Sequence, residues 1–342
     1  MKIKNIDTSK KIFIVAEIGN NHEGNFKLAK KMIEKAALAK VDAVKFQTFI
    51  PEHLFGGDEK RLNRLKSFKF TKEQFEKLAK IAKHNGLIFF STPFDIESAI
   101  FLNKIQPIFK IASGDINFYP LIKKVASFGK PMILSTGSAN INLIKRAYNE
   151  VAKLWDKKKT KSKLAFLHCT SGYPVPFDQA NIGSILYLKK LFPNIEIGYS
   201  DHTLGLDAAV SSVFAGARII EKHFTIDKNY SDFRDHHLSA DFVDMKHLVE
   251  KVRKAEIMFG VVEKKIQQCE KDLKIYGRRS IAASRYLQVG TKIRMSDLIW
   301  IRPAIGLPPG DEKKLIGKKV THKIKFGEII KLKKLKKLKK LK

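Results

Sequence analysis

The strongest constraint on this chain is a change of hydrophobic period that recurs eight times. Short β-branched or aromatic runs alternate with longer stretches of helical spacing. The spacing predicts strands at Ile12–Glu17, Ala43–Thr48, Leu87–Thr92, Ile108–Ser113, Pro131–Thr136, Leu164–Thr170, Ile195–Ser200 and Arg218–His223. Helical patterns follow them at Phe26–Ala39, Lys72–Asn85, Ile96–Asn103, Leu121–Phe128, Ile141–Trp155, Ile182–Leu191, Ala208–Ala215 and Asp241–Phe259. In the first, Leu28, Met32, Ile33 and Ala36 form one stripe and lysines fill the other face. Alternating β and α elements imply parallel strands joined by right-handed crossovers. Eight such units within about 260 residues match a TIM (β/α)8 barrel, of about 250 residues. A doubly wound open sheet would carry a Gly-rich phosphate turn after its first strand. Glu17-Ile18-Gly19-Asn20-Asn21-His22 is not one.

The pattern changes after Gly260. The expected organisation is a barrel over 1–262, a linker over 263–278, a small β-rich module over 279–331 and a Lys-rich tail over 332–342. Val289-Gly290-Thr291-Lys292-Ile293 and Phe326-Gly327-Glu328-Ile329-Ile330 echo each other, which predicts internal pseudo-symmetry in the module.

Composition narrows the class. The hydrophobic fraction of 44% supplies a core, which excludes wholesale disorder. Two cysteines, Cys169 and Cys269, exclude a disulfide scaffold and fit a reducing compartment. No apolar run is long enough to span a membrane and no signal peptide is evident, so a cytoplasmic location is expected. The formal charge of +32 leaves open a nucleic-acid or membrane surface, an acidic substrate, or a general surplus of lysine. Most lysines alternate with apolar positions along helices, the pattern of a solvated face. The exception is Lys331–Lys342, where eight of twelve residues are lysine. It is expected to be a solvated tail, with anionic lipid or nucleic acid as alternative ligands.

In a TIM barrel, chemistry sits at the C-terminal ends of the strands. All eight predicted strand ends here are polar. Lys45 and Lys110 lie inside apolar runs, where an ammonium needs an anion to offset its desolvation. Pairing with a barrel carboxylate would meet that need. With Thr92, Ser113 and Ser200 at neighbouring ends, a phosphate plus a carboxylate fits better. His202 and His223 end adjacent strands and could share one metal ion with open positions. Barrel closure brings Glu17 near His223, where it could ligate, orient a water, or act as acid or base. Asp235, in the loop carrying His236-His237, could bind a polyol hydroxyl. Cys169 reads as packing rather than as a nucleophile.

These segments, in this order, resemble the sialic acid synthase (N-acetylneuraminate synthase) family and its relatives making legionaminic and pseudaminic acids. The matching text is Ala16-Glu17-Ile18-Gly19-Asn20-Asn21-His22-Glu23-Gly24, Lys45-Phe46-Gln47-Thr48, Ser91-Thr92-Pro93-Phe94, Lys110-Ile111-Ala112-Ser113-Gly114, His168-Cys169-Thr170, Tyr199-Ser200-Asp201-His202-Thr203 and Glu221-Lys222-His223-Phe224. The C-terminal module resembles that family's antifreeze-like (SAF) domain, centred on Ile301-Arg302-Pro303. The resemblance implies condensation of phosphoenolpyruvate with an N-acylated amino sugar, with release of phosphate. It implies catalytic roles for Glu17, Lys45 and Lys110. Thr92, Ser113, Ser171 and Ser200 would hold the anion. Gln47, Asp115, Tyr173 and Asp235 would contact the sugar. A divalent ion, Mn²⁺ with Mg²⁺ or Co²⁺ as alternatives, would sit on His202 and His223. Arg302 would reach a partner's acylamino group in a domain-swapped homodimer.

Three departures fall on the sugar side or beside it. Ser171 stands where close sialic acid synthases carry Asn, and Asp115 where some members have Glu. Phe233-Arg234-Asp235-His236 replaces a Gly-Pro-Asp-His loop. A condensing enzyme making 3-deoxy sugar acids is the nearest alternative, although its acceptors would not need Arg302. A basic nucleic-acid- or membrane-binding protein is the alternative from another class. That alternative would need clustered cations interleaved with exposed aromatics, whereas the lysines here alternate with apolar positions along the helices.

Overall fold

A computed structural model describes residues 1–336 of the chain. It divides into two compact units, Met1–Gly260 and a second beginning at Val261.

The first unit contains eight parallel strands: β1 (Phe13–Gly19), β2 (Ala43–Thr48), β3 (Ile88–Pro93), β4 (Phe109–Ile111), β5 (Met132–Ser135), β6 (Leu164–Cys169), β7 (Glu196–Asp201) and β8 (Ile219–His223). Their hydrogen-bonded order is β3-β2-β1-β8-β7-β6-β5-β4. This is the cyclic order of a (β/α)8 barrel, with only the β3–β4 seam unladdered, although those two strands still pack together. The expected barrel is therefore present.

Each strand is followed by a helix, and the caps explain where several begin. Asn25 accepts from Leu28 N, Asp95 from Ser98 N, and Thr71 with Gln74 forms a reciprocal capping box. Two loops carry helices that the hydrophobic pattern did not reveal. Pro51–Leu54 and Glu59–Phe68 follow β2, and Arg234–Leu238 follows β8.

Alternation along each strand sorts its side chains into two layers. Phe13, Val15, Ala43, Ile88, Phe90, Ile133, Leu167 and Ile219 form the inner core, with Met1 and Ile6 packed against it. The alternate residues, including Ile14, Val44, Phe46, Phe109, Phe166, Tyr199 and Ile220, pack against the helices. The inner series continues upward into Glu17, Lys45, Thr92, Lys110, Ser200, Glu221 and His223. Pattern alone therefore delivers polar groups to one end of the barrel.

The second unit is built on a repeat of 37 positions. Strand Ser280–Ala283 pairs antiparallel with Leu298–Ile301, and Lys319–Val320 pairs with Leu335–Lys336, the same ladder 37 residues later. Leu287 and Ile324, themselves 37 apart, exchange reciprocal backbone bonds at 2.8 and 3.0 Å. Gly290 N donates to Val320 O, as Gly327 N donates to Ala283 O, each at 2.8 Å. The echoed glycines both have positive φ, at 89° and 74°. The pseudo-symmetry expected from the sequence is thus a structural one, centred on the 287–324 pair. The expected linker contains a short helix, Lys271–Tyr276. Pairing of Leu335–Lys336 carries the module into the Lys/Leu run, whose residues 337–342 lie outside those described.

Candidate active site

The polar strand ends enclose a cavity of about 1020 Å³ at the barrel mouth. It is lined by Glu17, Lys45, Gln47, Thr92, Lys110, Ser113, Asp115, Ser171, Tyr173, Ser200, His202, His223 and Asp235. One cavity therefore collects every candidate residue of the barrel. Arg302 is exposed on the second unit.

At the floor lies a four-membered charge cluster. Lys45 Nζ sits 2.8 Å from Glu17 Oε2 and 3.6 Å from Glu221 Oε2, and Lys110 Nζ sits 3.1 Å from Glu221 Oε1. All four are buried. Each lysine thus has a carboxylate partner, the offset that its burial requires. Ser200 Oγ donates to Glu221 Oε1 at 2.8 Å, and Lys45 Nζ donates to Thr92 Oγ1 at 3.2 Å.

The two carboxyls are pushed in opposite directions. Burial raises Glu17 to about 7, against the attraction of Lys45 and with repulsion from Glu221 adding to the rise. A carboxyl in that range exchanges a proton near neutrality. For Glu221, burial is outweighed by Lys110 and Lys45 and by the Ser200 hydroxyl, so it stays ionised. Burial lowers Lys110 despite Glu221, whereas at Lys45 the attraction of Glu17 and Glu221 overcomes burial.

Local geometry holds Glu17 in place. Gly19 follows a register irregularity in β1 and has φ 54°; a Cβ there would lie 3.2 Å from Glu17 Oε1. Gln47 Nε2 donates to Glu17 Oε1 at 3.3 Å, and Asn20 Nδ2 donates to Gln47 Oε1 at 2.9 Å. Gln47, expected at the sugar, therefore makes its contacts with the carboxylate. On the opposite wall, Gly137 N donates to Ser113 Oγ at 3.0 Å. A Cβ on Gly137 would lie 2.4 Å from Ser171 Oγ and 2.8 Å from Ser113 Oγ. A side chain at Gly137 would therefore displace both serine hydroxyls.

His223 is the register partner of Glu17, and the His202 and His223 rings lie 5.3 Å apart. His202 Nδ1 faces the Thr170 carbonyl oxygen at 2.9 Å, which fixes the proton on Nδ1 and leaves the Nε2 lone pair available. His223 Nδ1 is buried without a hydrogen-bond partner. Burial lowers both pKa values, opposed at His202 by the Thr170 bond and reinforced at His223 by its neighbour His202. Neutral imidazoles of this kind fit a divalent cation. Among the described residues no three His, Cys, Asp or Glu side chains converge as a ready ligand set. Tyr173 stacks on His202 at 4.2 Å.

The remaining residues form walls or supports. Asp115 is half-buried, and burial raises it to about 6. Asp235 is buried in the short helix after β8. His236 packs between Thr225 (2.6 Å) and Glu23 (3.1 Å), joining the loops after β8 and β1. Burial raises the Cys169 thiol, which disfavours a thiolate nucleophile. Helix Glu59–Phe68 overhangs the cavity through Arg61, Arg64 and Phe68, with Arg61 stacked on Phe55 at 3.7 Å and Phe68 against Phe233 at 5.3 Å.

Comparison with known proteins decides the family. Residues 32–264 match the NeuB family, and residues 278–336 match the SAF domain. The chain belongs to the NeuB family.

Among relatives of this NeuB-family chain, an uncharacterized protein of Methanocaldococcus jannaschii is 40% identical over 93% of each chain. The N,N'-diacetyllegionaminic acid synthase of Campylobacter jejuni is 36% identical, covering 94% of this chain and 99% of that one. The pseudaminic acid synthase of Campylobacter jejuni is 37% identical, covering 97% and 98%. The crystal structure of the N-acetylneuraminic acid synthetase of Leptospira borgpetersenii, in complex with citrate, superposes with a TM-score of 0.74 at 34% identity. That match covers 80% of this chain and 94% of the other. The fold and the family expected from the strand-end motifs are therefore both correct.

Glu221 is the residue that sequence reading undervalued. It appeared only as one letter of a matching tetrapeptide, yet it touches both lysines and Ser200. Its alternation with His223 on β8 was the available signal.

Proposed function

We propose that this chain is a nonulosonic (sialic-type) acid synthase. It condenses phosphoenolpyruvate with N-acetylmannosamine or a related N-acylated amino sugar, and with water, to give a nine-carbon 2-keto acid and phosphate. The observation that carries this reading is the pair of buried lysines, Lys45 and Lys110, beside two neutral histidines in one cavity. A second acceptor class, a diacetamido-dideoxy hexose, is favoured by the names of the Campylobacter jejuni relatives.

Phosphoenolpyruvate carries a phosphate and a carboxylate. Lys45 and Lys110 bind these anions, with the hydroxyls of Thr92, Ser113, Ser171 and Ser200 completing the contacts. Glu221, ionised, keeps both ammonium groups in place. C3 of the enol attacks the open-chain aldehyde carbon, whose oxygen takes a proton. Water adds to C2 and gives up its protons, and the C2–O bond breaks so that phosphate leaves. Glu17, hydrogen-bonded by Gln47, accepts a proton from that water. Asp115, Tyr173 and Asp235 face the sugar. A divalent ion held by His202 and His223, Mn²⁺ on family likeness, supplies Lewis-acid polarisation when bound. Arg302 recognises the acylamino group from a partner subunit in a homodimer.

The test is phosphate release with phosphoenolpyruvate and a panel of N-acylated aldoses, before and after chelation. Acceptor-dependent release that is lost on chelation and restored by Mn²⁺ supports the reading. Full turnover after exhaustive chelation removes the metal, and release without an acceptor removes the condensation.

A further inference from the structure

Asp201 and Lys222 immediately precede the two histidines, so strand alternation turns them to the opposite, helix-facing side of the barrel wall. Neither lines the mouth cavity, and nothing in the proposed reaction uses them. They are nonetheless almost fully buried, at 0% and 1% exposure. Asp201 and Lys222 are register partners on β7 and β8, and their Oδ2 and Nζ atoms lie 2.8 Å apart.

The surrounding bonds are directional. Lys222 Nζ also donates to the Thr203 carbonyl oxygen at 2.5 Å. Asp201 Oδ1 accepts from Thr203 N and Thr203 Oγ1, both at 2.9 Å, and from Tyr199 Oη at 3.2 Å. The residues on either side of His202 are therefore both tied to Lys222. On the neighbouring strand His223 is held between Lys222 and Phe224, whose backbone N–H donates to the Glu17 carbonyl oxygen at 2.7 Å. The 201–222 pair is the last rung of the β7–β8 ladder before the two imidazoles.

A buried ion pair commonly adds no more stability than packed apolar side chains of similar volume, and its better-attested use is to fix register. We propose that Asp201 and Lys222 are a positioning pair that sets the gap between His202 and His223, and through it the affinity of the site for a divalent cation. This rests on the reading of the two histidines as metal ligands.

The experiment measures Mn²⁺ binding directly on the full chain, from the paramagnetic resonance signal of free Mn²⁺, without turnover. In the charge-free double variant Asp201→Asn/Lys222→Met, the Mn²⁺ Kd rises about 10- to 100-fold, the range seen when groups supporting a metal ligand are removed. Its unfolding midpoint and its affinity for phosphoenolpyruvate stay near those of the parent. Lys222→Gln, which keeps a donor toward Asp201 and Thr203, shows an intermediate rise. A surface control, Lys123→Met/Glu150→Gln, removes another ion pair and leaves Kd unchanged. A Kd within twofold of the parent in either folded variant overturns the proposal. So does a loss of metal affinity that only accompanies a general loss of stability and phosphoenolpyruvate binding. A parent protein that takes up none of Mn²⁺, Mg²⁺ or Co²⁺ refutes the metal reading itself, an outcome distinct from equal binding by parent and variant.

Discussion

Glu221 Oε1 lies 3.1 Å from Lys110 Nζ and accepts the Ser200 hydroxyl at 2.8 Å. Its partner oxygen lies 3.6 Å from Lys45. One buried carboxylate thus positions both cations proposed to bind phosphoenolpyruvate.

Lys110→Met leaves Glu221 with a single distant cation. The expected cost is about 3–5 kcal/mol of stability, together with a fall of about 100-fold in kcat/KM for phosphoenolpyruvate. Adding Glu221→Gln removes the stranded charge. The double variant should regain most of the lost thermal midpoint without regaining kcat/KM. Thermal unfolding and steady-state kinetics on both variants separate the folding role from the binding role.

Gly137→Ala places a methyl where the Ser113 and Ser171 hydroxyls now stand. Both serines can rotate away, so the unfolding midpoint should change little. The KM for phosphoenolpyruvate should rise about tenfold, as expected from losing roughly one hydrogen bond to a charged group. An unchanged KM would remove these hydroxyls from the anion site.

Asp115 gives a pH signature. Burial raises its carboxyl from an ordinary 3.8 to about 6, so the folded state holds the proton more tightly than the unfolded one. Its stabilising contribution is complete below about pH 4 and is lost as pH rises to about 6. Asp115→Asn should therefore match the parent near pH 4 and exceed it by roughly 1–2 kcal/mol at pH 7, after discounting for partial solvent exposure. Denaturant unfolding across that window reads the difference directly, and a constant difference would contradict the assignment.

Arg302→Ala tests the second unit. If Arg302 meets the acylamino group, its loss raises the sugar KM or lowers kcat while phosphoenolpyruvate affinity holds. Equal effects on both substrates would remove that role.

The eight-fold alternation was legible because both periods are strong here. Inner-face residues such as Val15, Ile88 and Leu167 recur every second position, and apolar stripes fill the helices. The same alternation made the rim legible, since it carries the inner series into Glu17, Lys45, Lys110 and His223. Helix Glu59–Phe68 escaped because its apolar residues, Leu62, Leu65 and Phe68, are isolated among Lys and Arg after Gly56-Gly57. Its N-cap, Asp58 accepting from Arg61 N, was the only local sign. The partners of Lys45 and Lys110 were not legible either. A sequence can show that a buried ammonium needs an anion, but choosing Glu221 requires the register of β8 against β7 and β1. Among the described residues no helix is long and apolar enough to cross a membrane.

The central claim is tested most directly by following phosphoenolpyruvate and N-acylated aldoses with Mn²⁺ in ¹⁸O-labelled water. Phosphate release should depend on one of these sugars, with a 2-keto acid formed in equal amount and no solvent oxygen in the phosphate. Solvent oxygen in the phosphate, or release that no N-acylated aldose stimulates, would contradict it.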